Sequence, residues 1–102
     1  MQPTDNQMND RSIPCFSLGN MDVSSFTTTH RALISSAVES AVYWAVSNKL
    51  EEVEVFEIRE LGVVFSLKKE EFGTALNGCI EYSISIEDYE KCVAINKLKT
   101  KL

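Results

Sequence analysis

The chain has 102 residues, 44% of them hydrophobic and 25% charged, and a net charge of −5. This composition is close to that of ordinary globular proteins, which excludes a wholly disordered or fibrous chain. No apolar run approaches the ~20 residues that cross a bilayer, and the polar residues 1–10 are unlike a secretory signal. We therefore expect one small cytoplasmic domain that does not enter a membrane.

The charge is unevenly distributed along the chain. Residues 51–90 carry eleven acidic and three basic residues, a net charge of −8, whereas residues 91–102 carry four lysines and no acid. The acidic middle suits a partner with a basic surface, and the lysine-rich end is the one segment that suits a nucleic acid.

Residues 1–27 are rich in Gln, Asn, Asp, Ser and Thr, with two prolines and only scattered apolar side chains. Such a composition offers no periodic apolar face to offset the entropy of ordering the backbone. We predict a flexible N-terminal tail over residues 1–27 and a single α+β domain over residues 28–102. The alternative is a segment docked on the domain through its few apolar residues, which include Phe16, Leu18 and Phe26.

The strongest predicted helix covers about Thr29 to Lys49, with threonines near its start as N-cap candidates. Its apolar residues share one half of the helical wheel, and three of them are alanines that permit close approach of a neighbour. They are Leu33, Ile34, Ala37, Val38, Ala41, Val42, Trp44 and Ala45.

Between Glu52 and Lys68 the spacing changes to the two-residue period of strands. Residues 53–58 and 63–67 predict a β-hairpin joined at Glu60-Leu61-Gly62. The alternation slips at Val55-Phe56, which indicates either a β-bulge or a strand covered on both faces.

A third strand is predicted over Ile80 to Ser85, where apolar and polar residues alternate strictly after the turn pair Asn77-Gly78. Residues 69–78 allow either a short helix or a continuation of the second strand into a hairpin. Ser85 is a candidate N-cap for a last helix with Ile86, Tyr89, Cys92 and Val93 as its inner stripe. The predicted fold is a long helix packed on a three-stranded antiparallel sheet with a C-terminal helix, in the order α-β-β-β-α.

Few residues are suited to catalysis. The single histidine, His30, lies at a helix start, and the sequence has no nucleophile elbow, phosphate-binding glycine loop or HExxH motif. Three cysteines, Cys15, Cys79 and Cys92, lack the CxxC spacing of zinc or redox sites and form an odd set. We therefore expect neither an enzyme, nor a metal, nor a cofactor.

The sequence favours a small non-catalytic protein-binding module, such as an inhibitor, an immunity protein or an accessory factor. Bacteriophage and prophage genomes encode many small acidic proteins of this kind, so a phage or prophage origin is one expectation, although no motif of this sequence indicates it. The partner is expected to be another protein or a second copy of the chain. The alternative is a nucleic-acid-associated regulator that uses the lysine-rich C-terminal helix.

Two sets of residues are candidates for partner binding. Glu54 and Glu57 project from the predicted hairpin, where the acidic stretch either steers a basic partner or serves only solubility. Ile95, Leu98 and Leu102 lie on a different side of an ideal C-terminal helix from its inner stripe, so they form a separate apolar strip. That strip either binds a partner or folds back onto the core after a bend near Ala94.

Overall fold

The computed structural model describes residues 11–102, which form an α+β fold of four helices and a three-stranded sheet. The elements in chain order are β1 (Cys15–Phe16), α1 (Val23–Thr29), α2 (Arg31–Ser47), β2 (Glu52–Ile58), β3 (Val63–Lys68), α3 (Phe72–Ser85) and α4 (Tyr89–Lys99). A single 3-10 turn, Lys69–Glu71, joins β3 to α3.

The predicted hairpin is confirmed, because β2 and β3 pair antiparallel from Glu52↔Lys68 to Ile58↔Val63. Its turn contains Gly62 at a φ of 61°, a left-handed conformation that favours glycine. The register shifts between Glu54 and Phe56, so the predicted irregularity is a β-bulge. Val55 and Phe56 are both buried as a result.

The predicted antiparallel sheet is wrong, because the third strand comes from the N-terminal side. β1 pairs parallel to β2 through Cys15↔Glu57 and Phe16↔Ile58, so the sheet is mixed and its strand order is β1-β2-β3. The strand is only two residues long, which is too short for a periodic pattern to reveal it.

Residues 11–27 of the predicted tail contain β1 and most of α1. Asp22 caps α1 by accepting a hydrogen bond from the Ser25 amide at 2.7 Å. Leu18 and Phe26 are buried in the common core, so the described part of this segment is docked, as in the alternative above. Residues 1–10 of the predicted tail lie outside the described residues, and the division at residue 27 stays a prediction.

The predicted long helix is confirmed as α2, which begins at Arg31 because His30, with a non-helical backbone (φ −113°, ψ 40°), ends α1 and is the N-cap of α2. The predicted threonine caps are therefore not at the start of α2. Ala37, Ala41 and Ala45 are buried as expected, and they allow α2 to approach β2 closely. Leu33, predicted on the same face, is exposed.

The predicted third strand at Ile80–Ser85 is wrong, because these residues end helix α3. Residues 69–78 follow the helical alternative, with α3 beginning at Phe72. The buried side chains Phe72, Leu76, Cys79 and Ser83 recur every three or four residues, which is the helical period. The buried face of α3 thus includes Ser83. The alternation of apolar and polar residues over 80–85 does not reflect strand structure.

Helix α4 begins at an Asp88 cap, not at Ser85, with the Asp88 carboxylate accepting a hydrogen bond from the Lys91 amide. It packs on α3 and buries Ile95 and Leu98. One core therefore lies between the helices and the sheet, and it contains residues from α1, α2, β2, α3 and α4.

Candidate functional site

The β2–β3 hairpin has two chemically different faces. Directly paired residues of antiparallel strands project to the same face, so the register assigns each pair to one side. The helix-side face receives the pairs Val53–Leu67, Phe56–Phe65 and Ile58–Val63. The opposite face, called here the acidic face, receives Glu52–Lys68, Glu54–Ser66 and Glu57–Val64.

The helices cover only part of the helix-side face. The β2 residues on that side are buried, whereas on β3 Val63 is 42% exposed and Phe65 is 36% exposed. Only Leu67 is half-buried along this strand. Val63, Phe65 and Leu67 therefore form an open apolar strip, called here the apolar shelf.

The outer edge of β3 is also uncovered in the described part of the chain. The strand order β1-β2-β3 places β3 at the end of the sheet, with a strand neighbour on one side only. An edge strand exposes backbone N–H and C=O groups to solvent on its free side. The apolar shelf and these groups lie on the same six residues.

The position of the apolar shelf is fixed by a chain of aromatic rings. Phe65 stacks on Phe56 with ring centroids 4.8 Å apart, and Phe56 contacts Phe16 at 5.4 Å. Phe16 in turn contacts Phe26 of α1 at 5.7 Å. Such ring contacts stabilise by about 0.5–1.5 kcal/mol each beyond burial, so β3 is held on the fold through one face of Phe65.

The turn of the hairpin is tied to the N-terminal segment by Glu60. Its carboxylate accepts hydrogen bonds from the Ser17 hydroxyl at 2.5 Å and the Leu18 amide at 2.9 Å. These bonds stabilise the ionised form and lower the pKa of Glu60 from its ordinary value of 4.5 to about 2. The segment before α1 and the β2–β3 turn are therefore linked by a charge-dependent contact.

The predicted acidic residues come together on the acidic face. Glu54 is exposed and Glu57 is half-buried, and they share this face with exposed Glu52. The Arg11 guanidinium donates to the Glu54 carbonyl oxygen at 2.7 Å. Partial burial lowers the pKa of Arg11, and the nearby Glu54 carboxylate opposes this shift.

The predicted C-terminal apolar strip is divided by the structure. Ile95 is fully buried and Leu98 is 7% exposed, so both pack on their own core, but without the bend expected near Ala94, since α4 is one helix over Tyr89–Lys99. Leu102 is half-exposed and lines a cleft of about 600 Å³ with Leu50 and Phe72. It does not join Glu54 and Glu57 in one surface.

The predicted inner stripe of α4 points outward instead. Ile86, Tyr89 and Val93 are each more than half exposed, while Cys92 is half-buried. The lysine-rich end is partly engaged within the fold, since Lys91 forms an ion pair with Glu39 at 3.1 Å and Lys99 donates to Asn77 at 2.6 Å. The sequence alone does not show which of the two apolar sides of the helix faces the core, because tertiary packing decides this. In the structure Ile95 and Leu98 are buried, and Ile86, Tyr89 and Val93 of the predicted inner stripe are exposed.

Groups suited to covalent or metal chemistry are dispersed. Across residues 11–102 no three His, Cys, Asp or Glu side chains gather to hold a metal ion. The three cysteines are free thiols, and burial raises the pKa of the Cys79 thiol. Of the helices described between residues 11 and 102, none is both long and apolar enough to span a membrane.

Comparison with known proteins gives no relative, since no family model, no curated protein and no solved structure matches this chain. The candidate site therefore rests on the geometry of the hairpin.

Proposed function

We propose that this protein is a non-catalytic protein-binding module whose binding surface is strand β3. One observation supports the proposal above the others: within residues 11–102, β3 combines a backbone edge that no other strand pairs with and exposed apolar side chains. Strand addition to such an edge is a common mode of protein recognition, in which backbone hydrogen bonds provide affinity and side-chain contacts provide specificity.

The composition of β3 strengthens this proposal. Soluble proteins usually protect an exposed edge with a charged residue, a proline or a bulge on the edge strand. On β3 the one charged residue is Lys68 at the last position, residues 63–67 are Val, Val, Phe, Ser and Leu, and the bulge of this hairpin lies on β2 instead. An edge with a charge at one end only carries an aggregation hazard unless another chain covers it.

The charge around β3 restricts the class of partner. Glu52, Glu54 and Glu57 lie one strand away on the acidic face, so an added strand with basic residues on that face would be attracted. Its apolar residues would alternate with the basic ones and meet the apolar shelf. The expected roles, as an inhibitor or an accessory factor, require only such occupation of another protein.

The proposal is tested by comparing proteins captured by the wild type with those captured by a Val63→Lys/Phe65→Lys variant. Charges on the edge strand should abolish capture of any specific partner, because strand addition would bury them. Ile84→Lys on α3 is the matched control, since Ile84 is 51% exposed and far from the edge in the chain. Each captured protein is then purified and its affinity for the three chains is measured directly.

A partner that binds the wild type and the Ile84→Lys control but not the β3 variant supports the proposal. Equal affinities for all three chains would place binding on another surface and refute it. Circular dichroism of each variant shows whether the fold is retained.

A further inference from the structure

We infer that the strand that covers β3 is β3 of a second copy of the chain, paired antiparallel about a two-fold axis at Ser66. This inference rests on the proposed function, because it names the partner of the same surface. It is favoured by the sequence of β3 itself, which carries a lysine at its end and faces glutamates of the neighbouring strand.

Symmetry limits the registers that are available. In an antiparallel pair, two residues that face each other both point their backbone groups toward the partner or both point them away. A two-fold axis between identical strands must therefore lie midway between one residue and the same residue of the other copy, which face each other. Within Val63–Lys68, an axis at Phe65 or Ser66 pairs five residues of each strand, whereas an axis at Val64 or Leu67 pairs only three.

Charge complementarity selects Ser66 among these positions. With the axis at Ser66, Lys68 faces the partner's Val64, and the partner's Glu57 follows in the same row because Glu57 pairs with Val64. Strands lie about 4.8 Å apart, so Lys68 and this glutamate are about 10 Å apart at the backbone, within reach of two long side chains. Both lie on the acidic face.

The other registers lack this match or reach it over fewer paired residues. With the axis at Leu67, Lys68 faces Ser66 beside Glu54, but only three residues of each strand pair. With the axis at Phe65, Lys68 faces Gly62 in the turn. With the axis at Val64, Lys68 faces Glu60, whose carboxylate already accepts hydrogen bonds from Ser17 and Leu18.

Repulsion between the acidic faces is weaker than this attraction. With the axis at Ser66, the two Glu54 residues lie in one row, separated by three strand spacings or about 14 Å. This distance exceeds the Debye length of about 8 Å at physiological ionic strength, so salt screens the repulsion.

The apolar shelf gains a partner in the same register. Phe65 faces the partner's Leu67 on the helix-side face, and the symmetric pair repeats on the other side of the axis. Aromatic and aliphatic residues paired across strands stabilise a sheet. The two sheets then form one continuous six-stranded sheet.

A cysteine placed on the axis tests both the dimer and its register. In a Cys15→Ser background, which removes the exposed native thiol, Ser66→Cys is compared with Val64→Cys under mild oxidation. Facing residues of an antiparallel pair have Cα atoms about 4.5–5.5 Å apart, which suits a disulfide. The two Val64 residues would be about 14 Å apart, which does not.

We expect Ser66→Cys to form a covalent dimer and Val64→Cys, on the same face of the same strand, to remain largely uncrosslinked. Equal crosslinking of the two variants, or none with Ser66→Cys, would overturn the inference. The charge pairing is tested by sedimentation, where Lys68→Glu should weaken the dimer roughly two- to fivefold and Glu57→Lys/Lys68→Glu should restore it.

Failure of this inference is distinguishable from failure of the proposed function. A wild-type chain that stays monomeric at every concentration refutes the dimer. If the monomeric wild type captures another protein and the Val63→Lys/Phe65→Lys variant does not, the proposed function stands, with a strand of that protein as the partner of β3.

Discussion

At the scale of single residues, Glu60 forms a contact whose strength depends on the negative charge of its carboxylate. Its pKa is about 2 in the folded protein and ordinarily 4.5, so its hydrogen bonds stabilise the fold fully above about pH 4.5. This contribution decreases as the pH falls toward 2, because protonation removes the charged acceptor.

Glu60→Gln should therefore lower the melting temperature at pH 7, and its difference from the wild type should narrow as the pH approaches 2. Thermal melts of both proteins between pH 7 and pH 2 measure this difference. Glu81→Gln, which changes an exposed acid on α3, is the control. A difference that stays constant across the range would show that the Glu60 charge does not stabilise the contact with Ser17 and Leu18.

Leu98 and Val93 lie on opposite sides of α4, one in the core and one at the surface. Leu98 is 7% exposed, whereas Val93 is 56% exposed. Leu98→Ala should lower the free energy of unfolding by about 2–5 kcal/mol, since it leaves a cavity in the core. Val93→Ala should change it by less than about 0.5 kcal/mol. Urea denaturation measures both, and similar values for the two variants would contradict the assignment of Leu98 to the core.

At the scale of elements, the hairpin was predictable and the sheet was not. The alternation in residues 53–58 and 63–67 specifies two strands, and its slip at Val55-Phe56 identifies the bulge. Strand β1 has two residues and depends on pairing with β2, so its local sequence carries no comparable signal. Tertiary contacts decide such short strands.

Helix α3 shows how local alternation misleads. Residues 80–85 alternate as a strand does, but the buried positions of α3 begin eight residues earlier, at Phe72. The correct period is visible only over the longer window, and it requires a serine, Ser83, at a buried position. A hydrophobicity pattern assigns Ser83 to the surface, and with this assignment residues 80–85 have the alternation of a strand.

The N-terminal segment provides an element-scale prediction. A flexible tail would be trimmed as far as about Thr27, whereas the packed β1 and α1 should protect Phe16 and Phe26 from chymotrypsin. Phe26 is 3% exposed, and Phe16 lies in the sheet. We expect the described segment to resist under conditions that digest an unfolded control. Rapid cleavage after Phe16 would show that the segment undocks in solution and would support the tail.

At the scale of the whole molecule, the candidate site depends on what the helices leave uncovered. Strict alternation would place Glu54 and Glu57, which are three residues apart, on opposite faces, and the bulge at Val55-Phe56 brings them onto one face. The sequence does not distinguish an edge strand from a central one, because Val-Val-Phe-Ser-Leu suits both. The openness of β3 therefore follows from the position of α2 over β2, which depends on the alanines and their packing.

The proposed dimer would connect two features of the hairpin, its acidic face and its edge strand β3. Pairing about Ser66 would place Lys68 near the partner's acidic face and Phe65 opposite the partner's Leu67, given the register of the hairpin. A change that prevents strand addition should thus leave the monomer folded but alone, because β3 contributes little to the common core.

Hydrogen–deuterium exchange of the wild-type chain at low and high protein concentration distinguishes a dimer paired through β3 from a monomer. If β3 pairs with a second copy, the backbone amides of Val63–Lys68 exchange more slowly at high concentration, while those of α4 exchange at the same rate throughout. Exchange in β3 that does not depend on concentration, or slowing confined to the outward stripe of Ile86, Tyr89 and Val93, would contradict this pairing.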